Sequence, residues 1–537
     1  MRQQLERVRG TNDWSPPDAR QLHDLVRALG ESFASYGYEH IEVPVLEHTD
    51  LFRLKSGEDI LTKLYAFPYR GRDLCLRPEL TASVGRYYVD HCQAAALPQR
   101  FAYAGPVFRY ERPRQGRYRQ FTQSGVELIG PEGAVADAEL AALAWQSLAR
   151  LGLDDHHLEI GHFGVMDALL RTLGLDDRAR SFVIASMQDL RKAERGRAQV
   201  DARLDELFGS GAEDQPPDSA DTTNTADHRQ PNDLLATLRR LVAGLDAQHA
   251  RELILGLLQA SHVSIGRTRS AADVADGLLR KLRWQDQAPG IRRALELAER
   301  LRSVRGSPPA AFDRIRHVLT DYRLDHTPLH RLEAVSTQLG AYGVPPAAVT
   351  VNLGLGRSLP YYTGMVFEIY AAGLGPAQQL CGGGRYDGLL RLLGANADVP
   401  AAGFAFGVER VKLALDSHAR PAGGPTTQVQ VIPLGADDCA YAVTAAEQLR
   451  QAGLRVELEL MGRGVKGTLR QAARRGIPFC GIVGPEERLG GTITIRNMAA
   501  HQEQRVALAD AARYCQEDRV PAPADRQLGD TTATGAR

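Results

Sequence analysis

The chain has 537 residues, of which 43% are hydrophobic and 24% are charged. These proportions are ordinary for globular proteins and exclude collagen-like chains and chains that are disordered throughout. Lys and Arg together number 65, as do Asp and Glu, so the formal net charge of +0 does not by itself indicate a nucleic-acid partner. Any basic binding surface must be local. At roughly 100–200 residues per domain, the length predicts about three or four domains.

The six cysteines lie far apart and none form a C-x-x-C pair, which argues against a zinc ribbon or a disulfide scaffold and favours a reducing compartment. The opening residues, MRQQLERVRGTNDW, lack the apolar stretch of a signal peptide. No run of about 18 apolar residues occurs anywhere in the chain. We therefore expect a cytoplasmic protein without a membrane segment.

The N-terminal part combines helices with strands. Apolar side chains at helical spacing predict a helix from about Asp18 to Gly37, and the alternation from Ile41 to Val45 predicts a strand that Pro44 places at a sheet edge. Three further β-rich segments follow before a predicted amphipathic helix at Asp137–Leu151. This irregular order favours a sheet interrupted by helices over a doubly wound fold.

The rest of the chain divides into three regions. From about Met166 to Leu339 the pattern predicts helices, interrupted at Gly209–Asp233 by a polar, Pro-containing loop that we expect to be disordered. Strand character returns from Val349 to Gly356 and continues to a Gly/Pro-rich linker at Ala419–Gln428. Strands then alternate with helices, which predicts a small α/β domain with a mostly parallel sheet.

The strongest candidate for chemistry is the Arg-rich segment Phe108–Gly130, FRYERPRQGRYRQFTQSGVELIG, which is predicted as a strand–loop–strand hairpin. Because alternate strand residues share a face, Arg109 lies with Glu111, and Gln123 lies with Glu127 on the return strand. Such a set can hold a nucleotide phosphate and a substrate ammonium. A solvated, salt-bridged hairpin is the alternative, and the pattern alone does not decide between them.

Two more segments each allow a ligand-binding and a purely structural interpretation. Glu79 and Thr81 alternate at the end of a strand and either bind an amine or cap the following helix. Arg357 stands between glycines and precedes Tyr361 and Tyr362, so this segment either brings a cation and phenols into a pocket or places aromatic residues in the core.

Glycines mark the last two candidate segments. Gly382–Gly384 permit close approach of the backbone to a ligand, or form a bulge. Gly403 and Gly407 flank a strand that runs into a helix with Glu409 and Arg410 at its opening. An arginine at a helix start opposes the helix dipole, which indicates a ligand-facing role. The sequence contains no P-loop, dinucleotide-binding or zinc-site spacing.

Taken in order, these segments resemble class II aminoacyl-tRNA synthetases, and specifically the histidyl-tRNA synthetase family. EHIEVPVLEH, FRYERPRQGRYRQF and GFAFGVERVKL are similar to the three class motifs, and RGTNDWSPPD to the family's N-terminus. Arg357–Glu368 and Gly382–Gly388 are typical of the histidine enzymes. The match covers about residues 5–200 and 330–515.

The resemblance implies an α+β fold, with an antiparallel sheet of six strands flanked by helices, and a homodimer. The domains it implies are a catalytic core at 1–165 and 340–418, a helical insertion at 166–339 with the disordered loop 209–233, a C-terminal α/β anticodon-binding domain at 424–519 and a disordered tail at 520–537. Histidine and ATP, accompanied by Mg²⁺, would give histidyl-adenylate, and the histidyl group would then move to tRNA(His). No membrane partner and no metal-ligating residue is implied.

The resemblance also assigns residues. Arg109 would bind the α-phosphate of ATP and Arg410 the γ-phosphate, with Glu111 near the adenine and Mg²⁺; Arg357 would contact the α-phosphate and the histidine carboxylate. The α-ammonium of histidine would be held by Glu79, Thr81 and Gln123. Its imidazole would be bound by Glu127 and Tyr362, with Tyr361 nearby. The Arg112–Arg119 loop would meet the tRNA acceptor end.

Two alternatives remain open. Pro360, Leu80 and Thr122 depart from the usual pattern toward a paralogue, the histidine-binding regulatory subunit of ATP phosphoribosyltransferase, which does not charge tRNA. That paralogue typically lacks the C-terminal domain and the motif arginines, whereas this chain has a predicted domain there and retains Arg109, Arg357 and Arg410. The second alternative is a paralogue that activates an amino acid for a different acceptor.

Overall fold

The computed structural model divides the chain into two compact units, Met1–Arg420 and Pro421–Arg537. It describes residues 6–54, 62–164, 194–208, 245–260, 274–279, 288–355, 362–375, 378–417 and 427–517, with scattered residues between 170 and 186, between 237 and 242, and residue 272. Within these ranges no helix is both long enough and apolar enough to cross a membrane. The predicted loop 209–233 and tail 520–537 lie outside the described residues, as do Arg357 and Tyr361.

The first unit contains twelve strands in chain order: β1 (Glu39–His40), β2 (Leu46–His48), β3 (Tyr65–Tyr69), β4 (Arg72–Leu76), β5 (Gln99–Phe108), β6 (Gln120–Ile129), β7 (His156–His162), β8 (Arg305–Gly306), β9 (Val349–Asn352), β10 (Met365–Ala371), β11 (Gln379–Arg385) and β12 (Ala401–Gly407), counted over its described residues. Its described helices are α1 (Pro16–Ala34), α2 (Thr81–His91), α3 (Ala134–Arg150), α4 (Glu194–Phe208), α5 (Ala247–Ala260), α6 (Ala288–Arg302), α7 (Pro308–Asp321), α8 (Thr327–Ala341), α9 (Leu389–Leu392) and α10 (Val408–Ser417).

The main sheet has the order β1-β5-β6-β12-β11-β10-β7-β9-β8. The six strands from β5 to β7 in this order pair antiparallel throughout, as the sequence resemblance implied. β1 extends the sheet at one edge by pairing parallel to β5, and β9 extends it at the other by pairing parallel to β7. The expected antiparallel core is therefore confirmed, with short additional strands on both sides.

One face of this sheet is covered by helices. Phe33 of α1 stacks edge-on against Phe404 of β12, with ring centroids 5.8 Å apart, and Leu143 of α3 is buried in the same cluster. This face carries the even-numbered residues of β6 and β12, such as Val126 and Phe404, which belong to the largest apolar core. Because side chains alternate along a strand, the odd-numbered residues point to the opposite face. That opposite face carries the site described below.

The prediction of a strand from Ile41 to Val45 is wrong. Residues 41–44 form no strand, and the short strands β1 and β2 lie on either side of them. The buried guanidinium of Arg77 explains the interruption, because its Nη1 donates to the carbonyls of Val43 and Pro44 at 2.5 and 3.2 Å. These carbonyls accept hydrogen bonds from a side chain instead of from the backbone of a neighbouring strand.

The second unit is a five-stranded sheet in the order β14-β13-β15-β16-β17, where β13 is Val429–Pro433, β14 Val456–Leu458, β15 Phe479–Val483, β16 Thr492–Asn497 and β17 Gln502–Ala507. Its helices are α11 (Cys439–Gln451), α12 (Val465–Arg474), α13 (Pro485–Gly490) and α14 (Ala511–Glu517). β13 pairs parallel to β14 and β15, but β15–β16 and β16–β17 are antiparallel. The α/β domain is confirmed, and its sheet is mixed where a mostly parallel sheet was expected.

Candidate active site

Glycines form the floor of the site on the open face of the main sheet. Glu127 of β6 lies opposite Gly403 of β12, and Gly403 lies opposite Gly384 of β11. A Cβ atom at Gly403 would come within 1.8 Å of Glu127 Oε2, and one at Gly384 would come within 2.8 Å of the Tyr362 ring. Both distances are far below van der Waals contact, so the missing side chains leave the space into which Glu127 and Tyr362 fold.

Glu127 is a buried carboxylate held by two phenols. Its side chain is only 1% exposed, and the hydroxyl of Tyr103 donates to Oε1 at 2.9 Å. Tyr386, just after β11, donates to Oε2. Burial and the neighbouring Glu127 raise the pKa of Tyr103 well above its ordinary value, so this phenol keeps its proton at neutral pH. The carboxylate can accept further hydrogen bonds from a ligand through its remaining lone pairs.

We predict that Gly403→Ala lowers the free energy of unfolding by about 1–3 kcal/mol, because the added methyl group overlaps Glu127 and the Val126 carbonyl. Chemical denaturation measures the change. Gly30→Ala is the matched control: Gly30 lies inside α1 with no neighbouring atom within 4 Å of the added Cβ, so this change should stabilise by up to about 1 kcal/mol. Equal unfolding energies for Gly403→Ala and the parent protein would contradict the packing described here.

Tyr362 lies over Gly384, which pairs with the Gly403 that Glu127 covers. Its ring is 6% exposed, packs in the same apolar cluster as Tyr103 and Tyr386, and covers Gly384. The segment that would carry Arg357 and Tyr361 lies outside the described residues, so their predicted roles stay predictions.

The side of the pocket next to α2 carries Glu79 and Thr81. Glu79 is 7% exposed and its Oε1 accepts the backbone N–H of Ala82 at 3.0 Å, so it does cap the start of α2. Thr81 is the first residue of that helix, and the Thr81 side chain lowers the pKa of Tyr103 whereas the charge of Glu79 raises it. Both predicted residues therefore lie near Tyr103, which in turn contacts Glu127.

Gln123 has an unsatisfied polar atom. It lies on the same strand face as Glu127, between Gly105 of β5 and Gly407 of β12. Its Oε1 is buried and has no hydrogen-bond partner among the described residues. A buried amide oxygen without a partner is costly, so this atom is available for a donor on a ligand.

Next to this pocket lies a cluster of four arginines, defined here as Arg109, Arg114, Arg117 and Arg410. Arg410 donates from Nε to the Gly116 carbonyl at 2.8 Å and from Nη1 to the Gln379 carbonyl at 2.9 Å. Burial and then the like charges of the other three arginines lower the pKa of Arg410, and Glu111 offsets this only in part. The cluster has more positive than negative charge, and this excess suits it to a polyanion.

Arg109 connects the arginine cluster to the pocket. β5 ends at Phe108, so Arg109 lies just beyond the strand on which it was predicted. Its guanidinium lies 5.3 Å from the centroid of the Phe121 ring, and its Nε donates at 2.8 Å to the carbonyl of Pro78, the residue before Glu79. The predicted phosphate-binding and amine-binding residues are thereby brought side by side.

Two carboxylates lie among these cationic groups. Burial favours a higher pKa for Glu111, but the bond from Arg117 and the charges of Arg117, Arg109 and Lys63 hold it below its ordinary value. Glu409, which opens α10 beside Arg410, accepts the N–H of Thr122 with both oxygens at 2.8 and 3.0 Å. Burial raises the pKa of Glu409. Through Glu409, the start of α10 is fastened to the hairpin strand β6.

The sequence pattern did not single out Tyr103 or Tyr386, and it gave no role to Glu409. Tyr386 belongs to the GGGRYDG segment, whose pattern indicates a role only for its glycines, and Tyr103 has the pattern of an ordinary core residue of β5. The signal that identifies Tyr103 is the register: Tyr103 lies opposite Gly125, where a Cβ would come within 2.9 Å of the Tyr103 hydroxyl. A glycine opposite a buried tyrosine indicates a phenol that crosses the neighbouring strand.

Known proteins are similar to this chain in sequence and in fold. The chain matches the histidyl-tRNA synthetase family model over residues 10–265 and 271–411, and an anticodon binding domain model over 428–518. It is 32% identical over 505 residues to the histidine–tRNA ligase of Archaeoglobus fulgidus, covering 94% of this chain and 97% of that protein. The ligase of Pyrococcus furiosus is 29% identical over 512 residues, with 95% and 98% covered.

Solved structures show the same fold. Histidyl-tRNA synthetase from Nostoc sp. PCC 7120 has a TM-score of 0.64 at 19% identity, covering 96% of this chain and 100% of that one. A Bacillus halodurans C protein described as an ATP phosphoribosyltransferase regulatory subunit/histidyl-tRNA synthetase has a TM-score of 0.58 at 23% identity, covering 89% and 98%. At these identities the likeness shows the fold alone. The family model spans most of the chain, and this chain belongs to the histidyl-tRNA synthetase family.

Proposed function

We propose that this chain is a cytoplasmic histidine–tRNA ligase, which activates L-histidine with ATP and transfers the histidyl group to tRNA(His). The observation that carries the proposal is the contact between two unlike sites. A pocket of buried acceptors around Glu127 lies next to a cluster of four arginines, and Arg109 contacts the backbone that leads into Glu79. An amino acid with cationic and imidazole groups suits the first site, and a triphosphate suits the second.

The pocket is complementary to histidine at both ends. Glu127 and Tyr362 would hydrogen-bond the imidazole, with Tyr361 nearby, and Tyr386 would help to orient the Glu127 carboxylate. Glu79, Thr81 and the unpartnered Oε1 of Gln123 would hold the α-ammonium. An apolar side chain in this pocket would leave the Glu127 carboxylate and its phenols without a partner, and this penalty excludes other amino acids.

In the arginine cluster, Arg109 would bind the α-phosphate of ATP, Arg410 the γ-phosphate, and Arg357 the α-phosphate together with the histidine carboxylate. Mg²⁺ usually binds through one or two carboxylates and the phosphates of the substrate. Glu111, the carboxylate inside the cluster, fits such a role. Among the described residues no group of three or more His, Cys, Asp or Glu side chains could hold a metal ion without the nucleotide.

The chemistry requires positioning and charge stabilisation more than proton transfer. The histidine carboxylate attacks the α-phosphorus, the bond to the β-phosphate breaks, and pyrophosphate leaves. Negative charge grows on the α-phosphate oxygens, where guanidinium groups held by backbone carbonyls, as in Arg109 and Arg410, stabilise it without having to reorganise. The 3′ end of the tRNA then takes the histidyl group and AMP leaves.

The second unit would read the anticodon. Leu434 follows β13, and Leu460 and Met461 follow β14, so all three lie beyond the carboxyl ends of parallel strands, where α/β sheets usually bind ligands. They are 51%, 82% and 72% exposed. Exposed apolar groups there can pack against unpaired bases, while Arg463 and Lys466, in the adjoining loop and at the start of α12, can contact phosphates.

The chain would act as a homodimer. The small sheet in the order β2-β4-β3 buries Glu47 and Cys75 on one face. Its other face leaves Leu46, Phe67 and Tyr69 exposed by 47%, 41% and 57%. Apolar patches of this kind on a folded chain mark protein interfaces, and a second copy of the chain would cover this one.

The regulatory alternative, a histidine-binding subunit of ATP phosphoribosyltransferase, fits less well. It requires a histidine pocket but neither an ATP site nor an anticodon-reading domain. Arg410 is held by two backbone carbonyls beside the other arginines, and a second compact unit follows the first. Both features favour the ligase.

One paired assay tests the proposal. With ATP and histidine, the purified protein should exchange labelled pyrophosphate into ATP and then attach histidine to tRNA(His); Arg357→Ala should abolish both reactions. Absence of exchange together with histidine-dependent binding to a phosphoribosyltransferase would support the regulatory subunit. Exchange without transfer to any tRNA would support a paralogue that serves another acceptor.

A further inference from the structure

The N-terminal segment, defined here as residues 8–14, lies against the Arg-rich hairpin of β5 and β6, and the proposed chemistry gives it no role. The Gly10 carbonyl accepts the backbone N–H of Arg119 at 2.7 Å. The Arg9 carbonyl accepts a hydrogen bond from Nη1 of the same arginine at 3.1 Å. Both acceptors are backbone atoms, so the contact depends on the path that the backbone takes through this segment.

Gly10 allows the segment to turn at the point of contact. Thr11 donates from its backbone N–H and its hydroxyl to the Val8 carbonyl at 3.1 and 2.8 Å, which closes a turn of four residues. Gly10 is the third residue of this turn and has a φ of +90°, which glycine adopts without strain. A Cβ atom there would come within 2.8 Å of the Arg119 side chain and 2.9 Å of Pro113. Glycine is therefore required both by the turn and by the close approach of the hairpin.

The hairpin does not satisfy its own backbone at this point. The Arg119 carbonyl accepts the N–H of Arg109 at 2.8 Å, and in a regular antiparallel ladder the bond would be returned from Arg119 to Arg109. The Arg109 carbonyl instead accepts the N–H of Glu111 at 2.9 Å. Gly10 supplies the acceptor that the opposite strand does not, so the base of the loop depends on the N-terminal segment.

Arg119 transmits this support to the charged groups of the arginine cluster. Its Nε donates to the Glu111 carbonyl at 3.1 Å, and its guanidinium lies 4.1 Å from the centroid of the Tyr110 ring. The Glu111 carboxylate is in turn paired with Arg117, a member of the cluster. The N-terminal segment thus holds Arg119, and Arg119 holds the backbone of the carboxylate that lies among the arginines.

The N-terminal segment is itself attached to the core. The Trp14 ring meets the Tyr118 ring edge-on, with centroids 6.0 Å apart, and packs against the main apolar core. α1 follows directly and is joined to α10 by an ion pair between Asp18 and Lys412 at 3.0 Å. α10 carries Arg410, which binds a backbone carbonyl of the same loop. The loop is therefore held by two elements that are fixed to each other.

We propose that the N-terminal segment is a positioning element of the active site, which holds Arg119, and through it Glu111 and the arginine cluster, in the arrangement that binds ATP. The inference rests on the proposed function, since it assumes that the cluster binds the triphosphate. It makes the KM for ATP depend on residues to which no substrate contact is assigned. A loop that is already ordered loses less conformational entropy when the nucleotide binds.

The first test is Gly10→Ala, because the added methyl group overlaps Arg119 and Pro113. In pyrophosphate exchange, kcat/KM for ATP should fall about 10- to 100-fold, mainly through KM, while the KM for histidine changes less than about threefold. Gly133→Ala is the matched control: its φ of +93° imposes the same backbone strain, but no atom lies within 4 Å of the added Cβ. The kinetic constants of this control should match those of the parent.

A second set of variants removes the ring contact and leaves the backbone unchanged. Trp14→Ala should raise the KM for ATP about 2- to 10-fold, the value of one contact between aromatic rings. Trp14→Phe keeps a ring and should return the KM to within about twofold of the parent. Trp145→Ala is the control, because Trp145 is also a partly buried tryptophan that packs against the main core. It should lower the melting temperature and leave the KM for ATP unchanged.

The outcomes separate this inference from the proposed function. If the parent protein shows no histidine-dependent exchange, the proposed function fails. If the parent is active and Gly10→Ala leaves the KM for ATP within about twofold, or raises the KM for histidine equally, the positioning role is refuted and the function stands. Should Gly10→Ala not fold, Trp14→Ala decides: an unchanged KM for ATP refutes the role, and a rise that Trp14→Phe does not show supports it.

Discussion

Glu127→Gln should lower kcat/KM for histidine by on the order of a thousandfold, the largest effect expected from a single change in the amino-acid pocket. The carboxylate is 1% exposed and takes hydrogen bonds from both Tyr103 and Tyr386. An amide at this position has one oxygen and one NH₂ group, so one phenol would face a donor in place of an acceptor. The same NH₂ group would oppose the imidazole N–H. Pyrophosphate exchange at varied histidine concentration measures the loss.

Glu159→Gln is the matched control for this change. Glu159 is also a buried glutamate on the open face of the main sheet, 4% exposed, but it lies on β7 and is held by Arg305 at 2.5 Å and Asn352 at 2.7 Å. Its replacement should reduce stability and leave the KM for histidine within about threefold of the parent, because its partners are protein groups. Similar kinetic losses in both variants would mean that Glu127 supports the folded structure and does not bind histidine.

Arg410→Ala should reduce pyrophosphate exchange about 10²- to 10³-fold, comparable to the loss of one preorganised donor in a transition state. The reason is electrostatic: Arg410 is held in a partly buried position beside three other arginines, and Glu111 relieves their repulsion only in part, so a bound polyanion would relieve the rest. ATP should raise the melting temperature of the parent protein, and this increase should largely disappear in the variant. Differential scanning fluorimetry with and without ATP provides the measurement.

Arg391→Ala supplies the comparison. Its side chain is 52% exposed and pairs with Asp398 at 3.2 Å on the surface. Exchange and the ATP-dependent rise in melting temperature should both be preserved in this variant. If Arg410→Ala retains them as well, within about threefold, then the γ-phosphate contact assigned to Arg410 is wrong and the triphosphate must bind elsewhere.

The local elements could be predicted from the sequence because their signals are local. The apolar spacing between Asp18 and Gly37 predicted α1, which the structure places at Pro16–Ala34, and Asp137–Leu151 corresponds to α3 at Ala134–Arg150. The strand expected from Ile41 to Val45 failed because a distant side chain, Arg77, takes the carbonyls that a strand would need. The hydrophobic periodicity of a segment contains no information about a hydrogen-bond donor that comes from elsewhere in the chain.

The site itself could be predicted only in part. Glu127, Gln123 and Glu79 were singled out because they stand at motif positions. In the structure Glu127 and Gln123 share one face of the sheet, and Glu79 caps the start of α2. Tyr103 and Tyr386 were missed because their importance depends on which strands are neighbours. β5 and β12 are separated by about 300 residues in sequence and flank β6 in space, and this neighbour relation is not local.

The glycine floor limits how this enzyme can be retargeted to another amino acid. Pocket depth in many proteins is adjusted by exchanging a floor side chain for a smaller or larger one. Here the floor at Gly403 and Gly384 is already main chain, so it cannot be deepened, and any enlargement at these positions displaces a wall residue. Selection for new substrates would therefore have to act on the walls, through Tyr362, Tyr386 and Glu127, while the two strands beneath them stay unchanged.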